Sequence, residues 1–150
     1  MNIDLVLATL ADLETLMTLM EAFHIFDHDE PFDRLPAQAA MEKVVADKSV
    51  GRVWLIQQDE QTVGYMVLTL GYRLEYRGYY AFLDELYICE EKRGQGIGTK
   101  ALEFALDVCK TLGASYLQLE AKLDNPVAMA LYERAGFTAQ TRTVFLQPIA

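Results

Sequence analysis

Positive charge, long apolar runs and cysteine are all in short supply in this chain of 150 residues. Lysine and arginine number 13 against 22 aspartates and glutamates, a net charge of −9. Phosphate backbones attract basic surfaces, so this balance argues against a nucleic-acid partner. It leans towards a cationic substrate, although an acidic surface also serves solubility alone. No apolar run approaches the roughly 20 residues that span a bilayer. The segment from Met1 to Leu7 carries Asp4 and no basic residue, unlike a secretion signal. A cytoplasmic protein without a membrane partner is therefore expected. The two cysteines, Cys89 and Cys109, stand in no metal-ligand spacing. His24 and His28 have helical chelate spacing, but no cysteine or second histidine pair joins them, so no metal is expected. Low-complexity tracts are also missing. With 52% hydrophobic and 23% charged residues, a single folded domain over residues 1–150 is expected.

What is present falls into a regular series of elements. Ile3 to Leu7 reads as a first strand, and Thr9 precedes Leu10-Ala11-Asp12 as a helix cap. Leu13, Leu16, Met17, Met20 and Phe23 follow helical spacing, which predicts a core-facing helix to about Ala22 or beyond. His24 to Asp33 is dense in acids and aromatics, and its proline disfavours continued helix. Pro36 to Asp47 reads as a second helix with proline in its first turn. Arg52–Gln58 and Val63–Leu70 form a hairpin, and the stretch from Tyr72 to Tyr80 ends one strand and begins the next, Ala81 to Cys89. After Gly98, Ala101, Leu102, Ala105, Cys109 and Leu112 line one face of a helix that Gly113 stops, so Cys109 is expected as a buried free thiol. Ser115 to Ala121 is a strand, and Pro126 to Ala135 a short helix. The tail from Phe137 to Ile149 reads as β-rich. This order predicts an α+β fold, a mixed sheet with helices on its faces, and no internal repeat.

Within that series Arg93-Gly94-Gln95-Gly96-Ile97-Gly98 stands out. Alternate glycines leave backbone N–H groups unshielded, and the following helix adds its own unpaired N–H groups and the positive end of its dipole. The result is a phosphate cradle with Arg93 at its lip. Gly96 to Ala101 also fits the dinucleotide pattern G-x-G-x-x-A, with Glu120 about 20 residues on. That pattern requires glycines directly after a strand in an opening βαβ unit. Here Glu90, Glu91, Lys92 and Arg93 intervene, hairpins precede the unit, and little chain follows it.

The run from Leu86 to Gly98 instead resembles the acyl-CoA pyrophosphate loop of the GNAT superfamily of N-acetyltransferases. A second block, Leu119-Glu120-Ala121 with Asn125 and then Ala130-Leu131-Tyr132-Glu133-Arg134-Ala135-Gly136-Phe137, is similar to that family's C-terminal motif. One departure is Glu90, where many relatives carry proline. The resemblance implies a GNAT-like fold: a splayed, mostly antiparallel mixed sheet of six to seven strands flanked by about four helices. It implies acetyl-CoA as acyl donor. The backbone of Gly94, Gln95, Gly96, Ile97, Gly98 and Thr99, with Arg93, would bind the pyrophosphate. Main-chain groups of Leu86, Tyr87 and Ile88 would pair with the pantetheine arm, which Asn125 would also contact. Asn125 can equally be an N-cap before Pro126.

Tyr132 matches the family tyrosine that protonates the departing thiolate, and its alternative is aromatic packing with Phe137. A neutral amine needs a base or a water relay, for which Glu85 and Glu120 are the candidates, unless each is only a solvated or ion-paired strand residue. No serine or cysteine sits in a nucleophile motif, so direct attack through a tetrahedral intermediate is expected. The loop from His24 to Asp33 and the turn from Tyr72 to Tyr80 are the natural acceptor walls. A small cationic amine held by Asp27, Asp29, Glu30, Glu75 or Tyr76 is the expected acceptor. A peptide or protein amine, or a CoA-binding sensor without catalysis, is the alternative. The tail from Val144 to Ile149 is compatible with a homodimer.

Overall fold

The computed structural model describes residues 2–149. Contacts divide the chain into two compact units, Met1–Glu120 and Ala121–Ala150.

The larger unit is built on an antiparallel meander. Strands β1 (Ile3–Leu7), β2 (Gly51–Gln58), β3 (Gln61–Arg73) and β4 (Gly78–Ile88) pair in chain order, and β5 (Tyr116–Gln118) adds in parallel beside β4. Strand alternation sends side chains to two faces. Val53, Leu55, Tyr65, Val67 and Tyr87 point to one face, where α1 (Leu13–Asp27) and α2 (Arg34–Ala46) bury Leu16, Met17, Leu19 and Met41 against them. Trp54, Ile56, Met66, Leu68 and Leu83 alternate with that set and are buried. The opposite helix, α3 (Ile97–Leu112), buries Ile97, Ala101, Leu102, Ala105 and Cys109. Its Phe104 meets Trp54 edge to face at 5.5 Å. The smaller unit holds α4 (Pro126–Arg134).

Most element boundaries shift by one to three residues from those expected, and three differences matter more. Helix α1 continues through His24-Ile25-Phe26 to Asp27, since Pro31 restricts the residue before it but not the helix four residues earlier. Strand β5 stops at Gln118, leaving Glu120 beyond the strand. Among the described residues the sheet has five strands, not six to seven, because residues 138–149 form no strand. There Val144, Phe145, Leu146 and Ile149 remain exposed, so apolar burial does not offset the entropy of ordering a further strand. Among the described residues no helix is long and apolar enough to cross a membrane.

Candidate active site

Strand β4 organises the site. Its partner β5 covers only Tyr80–Phe82, so the β5-side edge of β4 has no ladder partner from Leu83 to Ile88. On its other edge Leu86, Tyr87 and Ile88 stay paired with Met66, Tyr65 and Gly64 of β3. Main-chain groups at Leu86–Ile88 therefore sit on a strand that is anchored on one side and open on the other. Opening of this kind creates a slot for an extended ligand.

The chain then turns through Glu90–Lys92 into the glycine loop. Gly94 and Gly96 have φ of +77° and +84°, a region that side chains rarely occupy. A Cβ built on either meets nothing within 4 Å, so neighbouring protein does not require glycine there. The requirement comes from the backbone turn and leaves the approach to the loop clear. Gly96 caps α3, and the first N–H to bond back is that of Lys100, to the Gly96 carbonyl at 3.1 Å. The N–H groups of Ile97, Gly98 and Thr99 thus have no intrahelical acceptor. This cradle suits an anion such as a pyrophosphate. Gln95 is tied by its Oε1, which accepts from Gln58 Nε2 at 3.0 Å. Arg93 donates from Nε to the Ile88 carbonyl at 2.9 Å, and its guanidinium carbon lies 4.2 Å from the Phe26 ring centre and 5.5 Å from that of Tyr87.

A β-bulge lies behind the slot. Val67 pairs with Glu85 but Leu68 with Leu83, which leaves Asp84 as the extra residue. The bulge turns Glu85 to the face shared by Tyr65 and Tyr87. There Tyr65, fully buried, donates its hydroxyl to Glu85 Oε1 at 2.8 Å. Burial pushes the Glu85 carboxyl above its ordinary pKa; the Tyr65 hydrogen bond opposes this, Asp84 adds to it, and His28 and His24 oppose it. Asp84 is raised by desolvation and by the nearby Glu120 carboxylate. Burial raises the Tyr65 phenol strongly, so it remains a donor. Asp84 therefore feels a carboxylate on each side, Glu85 next to it in β4 and Glu120 beyond the end of β5.

The last turn of α1 supplies the remaining groups on this side. His24 and His28 stack with ring centres 4.6 Å apart, and His24 Nε2 donates to the Glu30 carbonyl at 2.6 Å. Asp27 lies 3.9 Å from His28 Nδ1, while Asp29 and Glu30 are exposed. Glu75 and Tyr76 lie elsewhere, in the turn between β3 and β4. At about 3.3 Å per residue that turn is roughly 20 Å or more along β4 from Glu85. Arg73 donates to both Tyr76 and Glu75, and Tyr76 donates to Gln118 at 3.2 Å and stacks on Tyr116 at 4.3 Å. Burial raises the Cys89 thiol, and Cys109 is buried and free, raised by desolvation as well. A depression of about 350 Å³ between Trp54, Phe104 and Val108 lies along the later turns of α3, away from the cradle.

In the smaller unit Asn125 caps α4, its Oδ1 accepting from the Ala128 N–H at 3.1 Å. Tyr132 is half-buried and packs edge to face on Phe137 at 6.2 Å. Sequence reading overlooked Tyr65 and the Arg93–Phe26 contact. A tyrosine inside the aliphatic run Val63–Leu70 was a usable signal for the first, since a buried phenol needs a partner. The second had no local signal.

A strand opened on one edge leads through a glycine loop to a helix N-terminus in this α+β protein, an arrangement with room for an extended, anionic ligand. The chain belongs to the acetyltransferase (GNAT) family, whose model matches residues 13–137. It is 48% identical over 66 residues to the N-alpha-acetyltransferase 30 of Schizosaccharomyces pombe, covering 44% of this chain and 42% of that protein. It is 35% identical over 74 residues to the thialysine N-epsilon-acetyltransferase of Bos taurus, covering 49% and 43%. The chain thus spans less than half the length of these curated relatives. Among solved structures, an integron cassette protein from the mobile metagenome of Cole Harbour Salt Marsh is 31% identical with a TM-score of 0.87, covering 97% of this chain and 90% of that one.

Proposed function

We propose that this protein transfers an acetyl group from acetyl-CoA to a primary amine by direct attack. One observation carries the proposal: the stretch of β4 that β5 leaves unpaired holds the half-buried Glu85 and leads, through the Glu90–Lys92 turn, into the anion cradle at the start of α3. The N–H groups from Gly94 to Thr99, with Arg93, would hold the pyrophosphate, and the edge at Leu86–Ile88 together with Asn125 would take the pantetheine arm. When bound, acetyl-CoA supplies an activated acyl thioester. Glu85, or alternatively Glu120, takes the proton from the amine nitrogen, and the raised pKa of Glu85 makes it a stronger base than an ordinary carboxylate. Tyr132 delivers a proton from its hydroxyl to the departing thiolate sulfur. The raised Cys89 thiol supports attack without an acyl-enzyme.

The acceptor in this proposal is a small cationic amine, drawn by the net charge of −9 and by Asp27, Asp29 and Glu30 at the end of α1. The relative that is by name a thialysine N-epsilon-acetyltransferase supports such an acceptor. The relative that is by name an N-alpha-acetyltransferase favours a second reading, a peptide α-amine. Purified protein given acetyl-CoA and a panel of polyamines, amino acids, aminoglycosides and short peptides, with thiol release as readout, separates the two. CoA binding without turnover on any amine would point to a sensor. Tyr132→Phe is expected to lower kcat at least about 100-fold, the lower range for general acid catalysis, with little change in CoA affinity. An unchanged kcat would remove Tyr132 as the acid.

A further inference from the structure

Phe26 is an exposed aromatic with an unusual position. It lies on the last turn of α1, is 60% exposed, and has the Arg93 guanidinium 4.2 Å from its ring centre. On the inner side Tyr87, 8% exposed, lies 5.5 Å from the same guanidinium and stacks on Phe23 at 5.4 Å. Arg93 is fixed at its near end as well, through Nε to the Ile88 carbonyl. None of the ion pairs among the described residues includes Arg93. The guanidinium of Arg93, the residue that enters the glycine loop, is therefore held by two rings and one carbonyl, with no carboxylate at ion-pair distance. A long, flexible side chain prepared in this way loses less entropy on meeting an anion.

We propose that Phe26 is a positioning residue for the acyl donor: its ring holds Arg93 over the cradle, and the same contact couples donor binding to the α1 end that carries Asp27, Asp29 and Glu30. The proposal rests on the acetyl-CoA reading above. Coupling of this kind is reciprocal: if Phe26 helps Arg93 meet the pyrophosphate, a bound pyrophosphate steadies Phe26 and the turn behind it. A cation over an aromatic face is favoured by the ring quadrupole, which an aliphatic side chain of similar size lacks.

The test is CoA binding by calorimetry to the wild-type protein, Phe26→Leu, Phe26→Tyr, Arg93→Ala and the Arg93→Ala/Phe26→Leu double variant. Phe26→Leu is expected to weaken CoA binding about 3- to 10-fold, and Phe26→Tyr to stay within about twofold of wild type. In the Arg93→Ala background Phe26→Leu should cost nothing further. Hydrogen exchange over residues 24–30 should slow on adding CoA to the wild-type protein and not to Phe26→Leu. Equal CoA affinity of Phe26→Leu and wild type, or a loss that persists in the Arg93→Ala background, would overturn the positioning role and leave the donor reading standing. No CoA binding by the wild-type protein would overturn both. Phe26 is largely exposed, so matched thermal melts should show that the variants are folded.

Discussion

At Glu85 a half-buried carboxylate accepts from a buried phenol while Asp84 repels it and two imidazoles attract it. The Tyr65 hydroxyl favours the ionised carboxylate, so removing it leaves Glu85 harder to ionise. Tyr65→Phe is accordingly expected to move the acidic limb of kcat/KM to higher pH, measured as a pH–rate profile. A limb that does not move would exclude Glu85 as the titrating base. The same shift has a consequence for stability. With a folded pKa above its unfolded value, Glu85 costs nothing below the unfolded pKa, where it is neutral in both states. The cost appears as pH rises and is complete above the folded pKa. Glu85→Gln keeps an oxygen for Tyr65 and cannot ionise. It should melt with the wild type near pH 4 and above it near pH 8; equal melting temperatures at both would contradict the sign. If Glu85 is the base, the same variant loses about 100-fold or more in kcat; retained activity would pass the role to Glu120 or a water.

Among the elements, the unit of β4, glycine loop and α3 was the most legible in the chain. Gly94, Gly96 and the apolar stripe from Ile97 to Cys109 act within a few residues of one another, and the two positive φ values of the loop fall on Gly94 and Gly96. Gly96→Ala should destabilise by about 1 kcal/mol, from the left-handed backbone, and not from a clash, since a Cβ there meets nothing within 4 Å. Chemical denaturation measures it; a loss of several kcal/mol would mean a hidden contact. The end of α1 was less legible. Apolar periodicity showed its face, but the acids and aromatics after Ala22 looked like loop, whereas the His24–His28 stack and the His24–Glu30 bond accompany a helix to Asp27. The tail was misread because Val144, Phe145 and Leu146 have strand propensity, and propensity alone does not provide a partner.

For the whole molecule, the larger unit depends on a sheet covered on both faces. Leu16, fully buried between α1 and the sheet, marks one side of it. Leu16→Ala is expected to cost ~2–5 kcal/mol of unfolding free energy, read from urea denaturation, and a cost under about 1 kcal/mol would mean that α1 packs loosely. What the sequence by itself determined is local: the helix faces, the glycine turn and the cap at Asn125 are decided by residues three or four positions apart. Net charge needed no structure either. What only the tertiary structure decided is register. The bulge at Asp84, the Tyr65–Glu85 bond across 20 residues and the Arg93–Phe26 stack each depend on how segments far apart in the chain align. A one-residue slip in β4 would send Glu85 to the other face. The chain therefore announces its glycine turn directly, whereas the Tyr65–Glu85 pair and the Arg93–Phe26 contact exist only once the strands have paired.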